Sequence, residues 1–368
     1  MKSTLPAIDV ELTERCNNAC RHCNINLPED DAGARARELP TAGWQDVLRQ
    51  AAALGALTVR FTGGEPLLRP DFADLYLFAR RLGMKVLLFT NARGITPELA
   101  GLFARVPPLE KIEISVYGMR PESYDADACA PGAFAGFRRG VDLLVERGVR
   151  FIVKGALLPG LRGEMEEFEA WARTLPSMDE RPGYSMFFDL RGRRDSAARN
   201  RRIESLRVSP AEGLAVLTRE PEKYRREMRE FCGRFIGPQG DRLFTCGAGK
   251  NVCVDAYGRI QPCLLLRDPA LAFDVRQCGL GDMIDSFAAR LPDIRSKNPA
   301  YVDRCGRCFL HGLCEQCPAK SWSEHGTLDT PVEYLCRIAH AQAEYLGLIK
   351  PGESAWKVED WKERIRLV

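Results

Sequence analysis

The chain has 368 residues, with 53 basic and 50 acidic side chains and a net charge of +3, so no global field draws it to nucleic acid or to a membrane surface. Its 45% hydrophobic content is ample for a packed core, no apolar run is long enough to cross a bilayer, and the N-terminus lacks the apolar core of a signal peptide. These features predict a cytoplasmic protein with no nucleic-acid and no membrane partner, in which a count of fourteen cysteines points to metal ligands rather than disulfides.

From Ile8 to about Leu190, short β-branched runs alternate with segments of helical period, the pattern of βα units around a parallel sheet. Six strands are predicted: Ile8 to Leu12, Leu57 to Thr62, Lys85 to Thr90, Lys111 to Tyr117, Arg150 to Leu157 and Tyr184 to Leu190. Between the first two, Trp44, Val47, Leu48, Ala51 and Leu54 share a helical face, with Thr41 as N-cap and Gly55 as the stop. Phe72, Leu75, Phe78, Ala79 and Leu82 repeat the pattern before Gly83, as do Phe134, Phe137, Val141, Leu144 and Val145 before Gly148, and Met165, Phe168, Ala172 and Leu175 before the sixth strand. Six units cannot close an eight-stranded barrel. The expected fold is α/β, a partial (β/α)6 barrel over residues 1–205 with its chemistry at the carboxyl ends of the strands, followed by a helical linker at 206–240, a cysteine-rich domain at 241–340 and a helical tail at 341–368. Trp356, Trp361 and Ile365 suggest an apolar face on that tail.

The stretch Arg191 to Arg202 holds six arginines in twelve residues. It reads either as a solvated face or as a patch at the barrel mouth that attracts an anionic substrate. On the second reading, reversing Arg193 and Arg194 to Glu should raise KM.

Directly behind the first strand lie Cys16, Cys20 and Cys23 at x3 and x2 spacing. Three such thiolates can each hold one iron of a four-iron cluster and leave one iron open; with His22 they could instead complete a tetrahedral zinc site. The motif resembles the CxxxCxxC signature of the radical S-adenosylmethionine (SAM) enzymes. The resemblance implies a 4Fe-4S cluster whose open iron chelates SAM, an external electron donor of flavodoxin or ferredoxin type, and cleavage of SAM to a 5'-deoxyadenosyl radical. Thr62-Gly63-Gly64-Glu65-Pro66 follows the second strand. Alone it could be a turn, though paired glycines let backbone approach a ligand and Glu65 can accept hydrogen bonds from an ammonium group. One βα unit after the cysteines, it looks like the family's GGE motif, which contacts the methionyl amino group of SAM. Ser115 and Lys154 are candidates for binding the SAM carboxylate or ribose, and also read as ordinary polar strand residues.

Beyond Asp241, cysteines recur at Cys246, Cys253, Cys263, Cys278, Cys305, Cys308, Cys314, Cys317 and Cys336. Val252 to Cys263 reads as a hairpin turning at Ala256 to Gly258. The Cys246 to Cys263 segment is similar to the first half of a SPASM domain, and Cys305-x2-Cys308-x5-Cys314 to part of the second, with a shortened gap to Cys317. That resemblance implies one or two auxiliary 4Fe-4S clusters: Cys246, Cys263 and Cys317, with Cys253 as a fourth ligand, and Cys305, Cys308, Cys314 and Cys336. The alternative is a zinc knuckle of Cys305, Cys308, Cys314 and Cys317. Cys129, Cys232 and Cys278 are left over and read as buried, inert thiols.

The resemblance as a whole implies an oxidoreductase that abstracts hydrogen from a substrate and passes an electron to auxiliary clusters. A ribosomal peptide or protein side chain ranks first as substrate, and a small metabolite or tetrapyrrole second. Sulfatase maturation ranks third, because Leu264 stands where those enzymes carry an aspartate base. A zinc or iron-sulfur electron carrier that does not use SAM is the remaining alternative. Since the barrel starts within the first dozen residues, any leader peptide is expected to need a separate leader-binding protein.

Overall fold

The structure is a computed structural model and describes residues 4–314 and 317–366. Its centre is a nine-stranded sheet. The first six strands are β1 (Ala7–Thr13), β2 (Thr58–Gly63), β3 (Lys85–Thr90), β4 (Leu109–Val116), β5 (Phe151–Ala156) and β6 (Tyr184–Ser185), parallel and in sequential order. The crossovers carry α1 (Thr41–Ala53), α2 (Phe72–Arg81), α3 (Pro97–Arg105), α4 (Pro121–Ala128), α5 (Ala133–Glu146) and α6 (Met165–Ala172). This is the expected open α/β barrel.

Apolar side chains of the strands pack outward against the helices: Ile8, Val10, Val59, Phe61, Ile112 and Ile114 meet Trp44, Phe72, Phe103 and Phe137 in one fully buried cluster. Each such side chain contributes about 1.5–3 kcal/mol relative to exposure. Polar residues alternate onto the inner face, among them Glu11, Thr62 and Ser115, and this alternation leaves a charged interior at the strand ends.

Several local expectations change. Thr41 is the first helical residue rather than the cap: its hydroxyl donates to Asp71 at 2.6 Å, and Pro40 takes the cap position. Helices α3 and α4 were not anticipated, although Thr96-Pro97 is a cap followed by proline at the first helical position, and the Thr96 hydroxyl accepts from the Leu99 amide. Tyr76, missed on α2, is fully buried and donates to the Val106 carbonyl at 2.5 Å. Val145 is 39% exposed rather than buried. The sixth strand stops at Ser185 rather than Leu190: the Leu157 amide makes the last ladder bond to Ser185, and the chain of β5 then turns into a helical turn at Pro159, so residues 186–190 lose their partner.

The hairpin appears where expected, as β7 (Cys253–Val254) and β8 (Arg259–Gln261). Asp255 accepts from the Tyr257 and Arg259 amides, and Gly258 takes a positive φ of 83°. The hairpin does not stand apart. It extends the barrel sheet, with β7 parallel to β1 at Asp9↔Cys253 and Val10↔Val254, and β9 (Phe273–Asp274) closing the edge. Val252, Val254, Ile260 and Phe287 belong to the barrel core.

Further helices are α7 (Ala197–Leu206), α8 (Pro210–Leu217), α9 (Pro221–Phe235), α10 (Leu280–Arg290), α11 (Pro318–His325) and α12 (Glu333–Tyr345). A second cluster joins Tyr224 and Cys232 of α9 to Phe309, Leu310, Ala343 and Ile349, with Trp361 stacked on Phe309 at 6.2 Å. No helix among the described residues is long and apolar enough to cross a membrane.

Candidate active site

The carboxyl ends of β1 to β4 and the loops after them surround a cavity of about 450 Å³. Cys16, Cys20 and Cys23 line it together with Gly63, Gly64, Glu65 and Ser115, so six residues from two separate loops and one strand residue meet at one cavity. Lys154 does not line this cavity. It is the sheet neighbour of Ser115, but its ammonium is paired with Glu113 at 2.9 Å.

The cysteine loop is closed by a two-residue pairing of Arg15–Cys16 with Leu27–Pro28 and by the Ala19 and Arg21 amides bonded to the Ala128 and Asp127 carbonyls. The Asn18 and Asn26 amides donate to the sulfurs of Cys16 and Cys23, each at 3.4 Å, and Asn91 Nδ2 reaches the Cys16 sulfur at 3.8 Å. Burial raises Cys16 and Cys20 above the ordinary thiol range. A metal is what makes such thiols thiolates, and amide donors on sulfur are the support a cluster takes from its protein.

Among the described residues no group of three His, Cys, Asp or Glu side chains is gathered close enough to hold one metal ion. His22 turns instead between Tyr117 and Phe188, with ring centroids at 5.7 and 4.8 Å, and burial lowers it to about 4. Three thiols, two of them supported by backbone amides, fit a polynuclear cluster, which spreads its ligands over several irons.

The two glycines also make a close contact within the chain. A Cβ on Gly63 would lie 2.1 Å from the Thr13 carbonyl oxygen, and one on Gly64 would lie 2.2 Å from that of Arg15. They let the β2 loop press on the backbone entering the cysteine loop, sealed by Gly64 N–H to Thr13 O at 2.7 Å and Glu65 N–H to Arg15 O at 2.9 Å. Glu65 is also committed: its carboxylate accepts from the Thr90 hydroxyl, the Asn91 amide and the Leu67 amide. Burial raises it to about 7 against those donors, and Oε2 retains room for one more.

The arginine run is a clamp rather than a free anionic-substrate patch. Arg191, 1% exposed, is bonded to Asp195 and reaches the carbonyls of Cys23, Ile25 and Asn26 at 3.4–3.5 Å, while Arg199 bonds the Asn26 carbonyl at 2.7 Å. Arg193 pairs with Glu14 and with Asp255 at 3.0 Å, and Arg194 bonds the carbonyls of Trp322 and Ser323. Reversing Arg193 and Arg194 would break these contacts before it tested substrate charge.

The remaining cysteines divide by position. Cys305, Cys308, Cys314 and Cys336 line one small apolar pocket with His311 and Trp356. Burial raises Cys305 to about 11 and Cys308 to about 12, with Cys336 adding to both. Cys317 lies elsewhere, packed with Cys263 against the barrel core, and burial raises it to about 11 with Cys263 adding. This separation breaks up the zinc knuckle. Cys263 is in turn coupled to the exposed Cys246.

Cys253 does not join them. It is fully buried on β7, and its charged neighbours are Glu11, Arg267, Asp9 and Asp255 rather than another cysteine. The period of 2 explains it: Cys253 pairs with Asp9 and shares the inner barrel face. Of the leftover thiols, Cys232 is buried, Cys278 is partly exposed and Cys129 is exposed, contrary to expectation, because it caps α4 in the left-handed conformation.

Sequence reasoning also missed Glu11, Thr90, Asn91 and Arg267. Asn91 could have been found, since it follows β3 at the strand end where barrel sites assemble.

An open parallel barrel with three cluster-spaced cysteines on its first loop defines an enzyme that uses iron-sulfur chemistry at the strand ends. Residues 10–175 match the Radical SAM superfamily, whose members use a 4Fe-4S cluster and SAM. A PqqA peptide cyclase of Xanthomonas euvesicatoria pv. vesicatoria is 27% identical over 335 residues, covering 84% of this chain and 79% of its own. An AdoMet-dependent heme synthase of Methanosarcina barkeri is 25% identical over 341 residues, covering 86% and 92%. The solved structure of Streptococcus suis SuiB bound to S-adenosylmethionine shares the fold, with a TM-score of 0.65 at 17% identity over 91% of this chain and 77% of that one.

Proposed function

We propose that this enzyme oxidises a side chain of a ribosomal peptide, using Cys16, Cys20 and Cys23 to hold the SAM-binding cluster and Gly63, Gly64, Glu65 and Ser115 to bind SAM. The observation that carries the reading is the cavity's two-sidedness. One wall is the cysteine loop; the other is formed by Leu264, Leu265, Ala319 and Lys320, which flank Cys263 and Cys317. A substrate between these walls is within reach of a hydrogen-abstracting centre on one side and an electron acceptor on the other.

When bound, the cluster and SAM supply the 5'-deoxyadenosyl radical. The protein's own part is to hold and orient. Arg191 and Arg199 fix the carbonyls of the loop, and Glu65 ties the β2 and β3 loops together. Glu11, 2% exposed, lines the cavity with Oε1 on Arg267 and Oε2 without a partner, so it is placed to accept the proton that a substrate releases on oxidation. Cys246, Cys263 and Cys317, and separately Cys305, Cys308, Cys314 and Cys336, are the ligands for auxiliary clusters. An external flavodoxin- or ferredoxin-like donor and a separate leader-binding protein complete the system.

The relative named PqqA peptide cyclase supports the peptide reading. The heme synthase relative, matched over 92% of its length, favours a tetrapyrrole as the second reading. Anaerobic co-expression with any short peptide encoded beside the gene tests the choice. A peptide mass lower by two hydrogens supports maturation; an unmodified peptide, with turnover of a tetrapyrrole, would move the assignment to the second reading.

A further inference from the structure

The cysteine loop is gripped from two sides by guanidinium groups that differ in charge balance. Arg191 is bonded to Asp195 at 2.6 and 2.7 Å, so its charge is cancelled where it acts. Arg93, on the segment after β3, donates to Asn18 Oδ1 at 2.6 Å and to the Asn17 carbonyl. Among the described residues Arg93 forms no close ion pair with a carboxylate, although its charge acts on the buried Glu65 and opposes the rise that burial causes there. Its stem lies against α5 at Gly136, where a Cβ would come within 3.2 Å of its Cγ, so the packing holds the side chain along the loop. Arg93 does not line the cavity.

We infer that Arg93 is a positioning residue that raises the reduction potential of the cluster on the Cys16, Cys20 and Cys23 loop. Three thiolates already make that cluster a net anion, and reduction adds one electron from the external donor with no proton. The reduced form therefore gains more than the oxidised form from a fixed cation nearby, and partial burial keeps solvent from screening it. Asn17 and Asn18, the two residues after Cys16, carry the guanidinium to the loop. The inference rests on the proposal that this loop holds the cluster.

The test is an EPR-monitored potentiometric titration of the anaerobically reconstituted full chain, following the signal that added SAM perturbs, with iron counted in each sample. R93M should shift the midpoint to more negative potential, and R93K should restore it. N18D gives a second route that keeps the loop contact: it sets a carboxylate on Arg93, and Asn18 Nδ2 is buried without a partner, so no hydrogen bond is lost. N18D should also shift the midpoint negative. Native potentials in iron-replete R93M and N18D would overturn the inference, as would a native potential in N18D where R93M only loses iron. Failure of the underlying assignment looks different: changing Cys16, Cys20 and Cys23 to Ala would then leave the iron content of the native chain unchanged.

Discussion

The Glu65 carboxylate accepts the backbone amide of Asn91 at 2.8 Å, and through that bond the loop after β2 holds the loop after β3. Asn91 in turn donates through Nδ2 to Asn17 Oδ1 at 2.7 Å, so three βα loops share one chain of hydrogen bonds that ends at the cysteine loop. E65A strands the Thr90 hydroxyl and the Asn91 and Leu67 amides in a buried site. The expected loss is about 2–4 kcal/mol, read as a lower Tm, together with weaker SAM binding by calorimetry. An unchanged Tm would mean that the loops are held by other contacts.

G64A should be more severe. Its Cβ meets three backbone atoms of Glu14 and Arg15 within 2.7 Å, and backbone cannot rotate away as a side chain can. The loop must move, and we expect the variant to bind less iron at the cysteine loop even where it folds. Full iron with native SAM affinity in G64A would contradict this packing.

Cys253 provides a contrast among the C-terminal cysteines. C253A should leave the iron content of the reconstituted protein unchanged, whereas C263A and C317A should each lower it. Parallel iron analysis of the three variants decides whether barrel-face Cys253 is a ligand after all.

Burial raises Glu11 to about 7, above the ordinary carboxyl value near 4.5, with Arg267 opposing the rise. A carboxyl raised on folding binds its proton more tightly in the folded state. Its contribution to stability is therefore full below about 4.5 and is lost as pH rises through about 7. Tm measured from pH 5 to 8 should fall more steeply in the native chain than in E11Q; parallel curves would show that Glu11 titrates as it does unfolded.

The barrel was legible because its signals are local. The spacing of Trp44, Val47, Leu48 and Ala51 marks a helix, and all four are buried on it. Strand β3 lies where Lys85 to Thr90 was predicted. The Cys16 loop and Gly63 to Glu65 reach one cavity because both follow strand ends, which sequence order alone reveals. What was not legible depends on distant partners. Nothing near Cys253 in sequence says that β7 joins β1, and nothing within the arginine run says that Arg191 turns inward to the carbonyls at 23–26. The intrachain contact of the glycine pair was not legible either, since the atoms that exclude a Cβ lie fifty residues earlier, at Thr13 and Arg15.

The most direct measurement is 5'-deoxyadenosine formed from SAM under anaerobic reduction, with iron per chain, in the native protein and in the C16A/C20A/C23A variant. The account predicts cleavage by the native chain with about twelve irons, and no cleavage with about eight irons in the variant. Cleavage that survives the triple substitution, or an iron content that it does not lower, would contradict the assignment of the cluster to this loop.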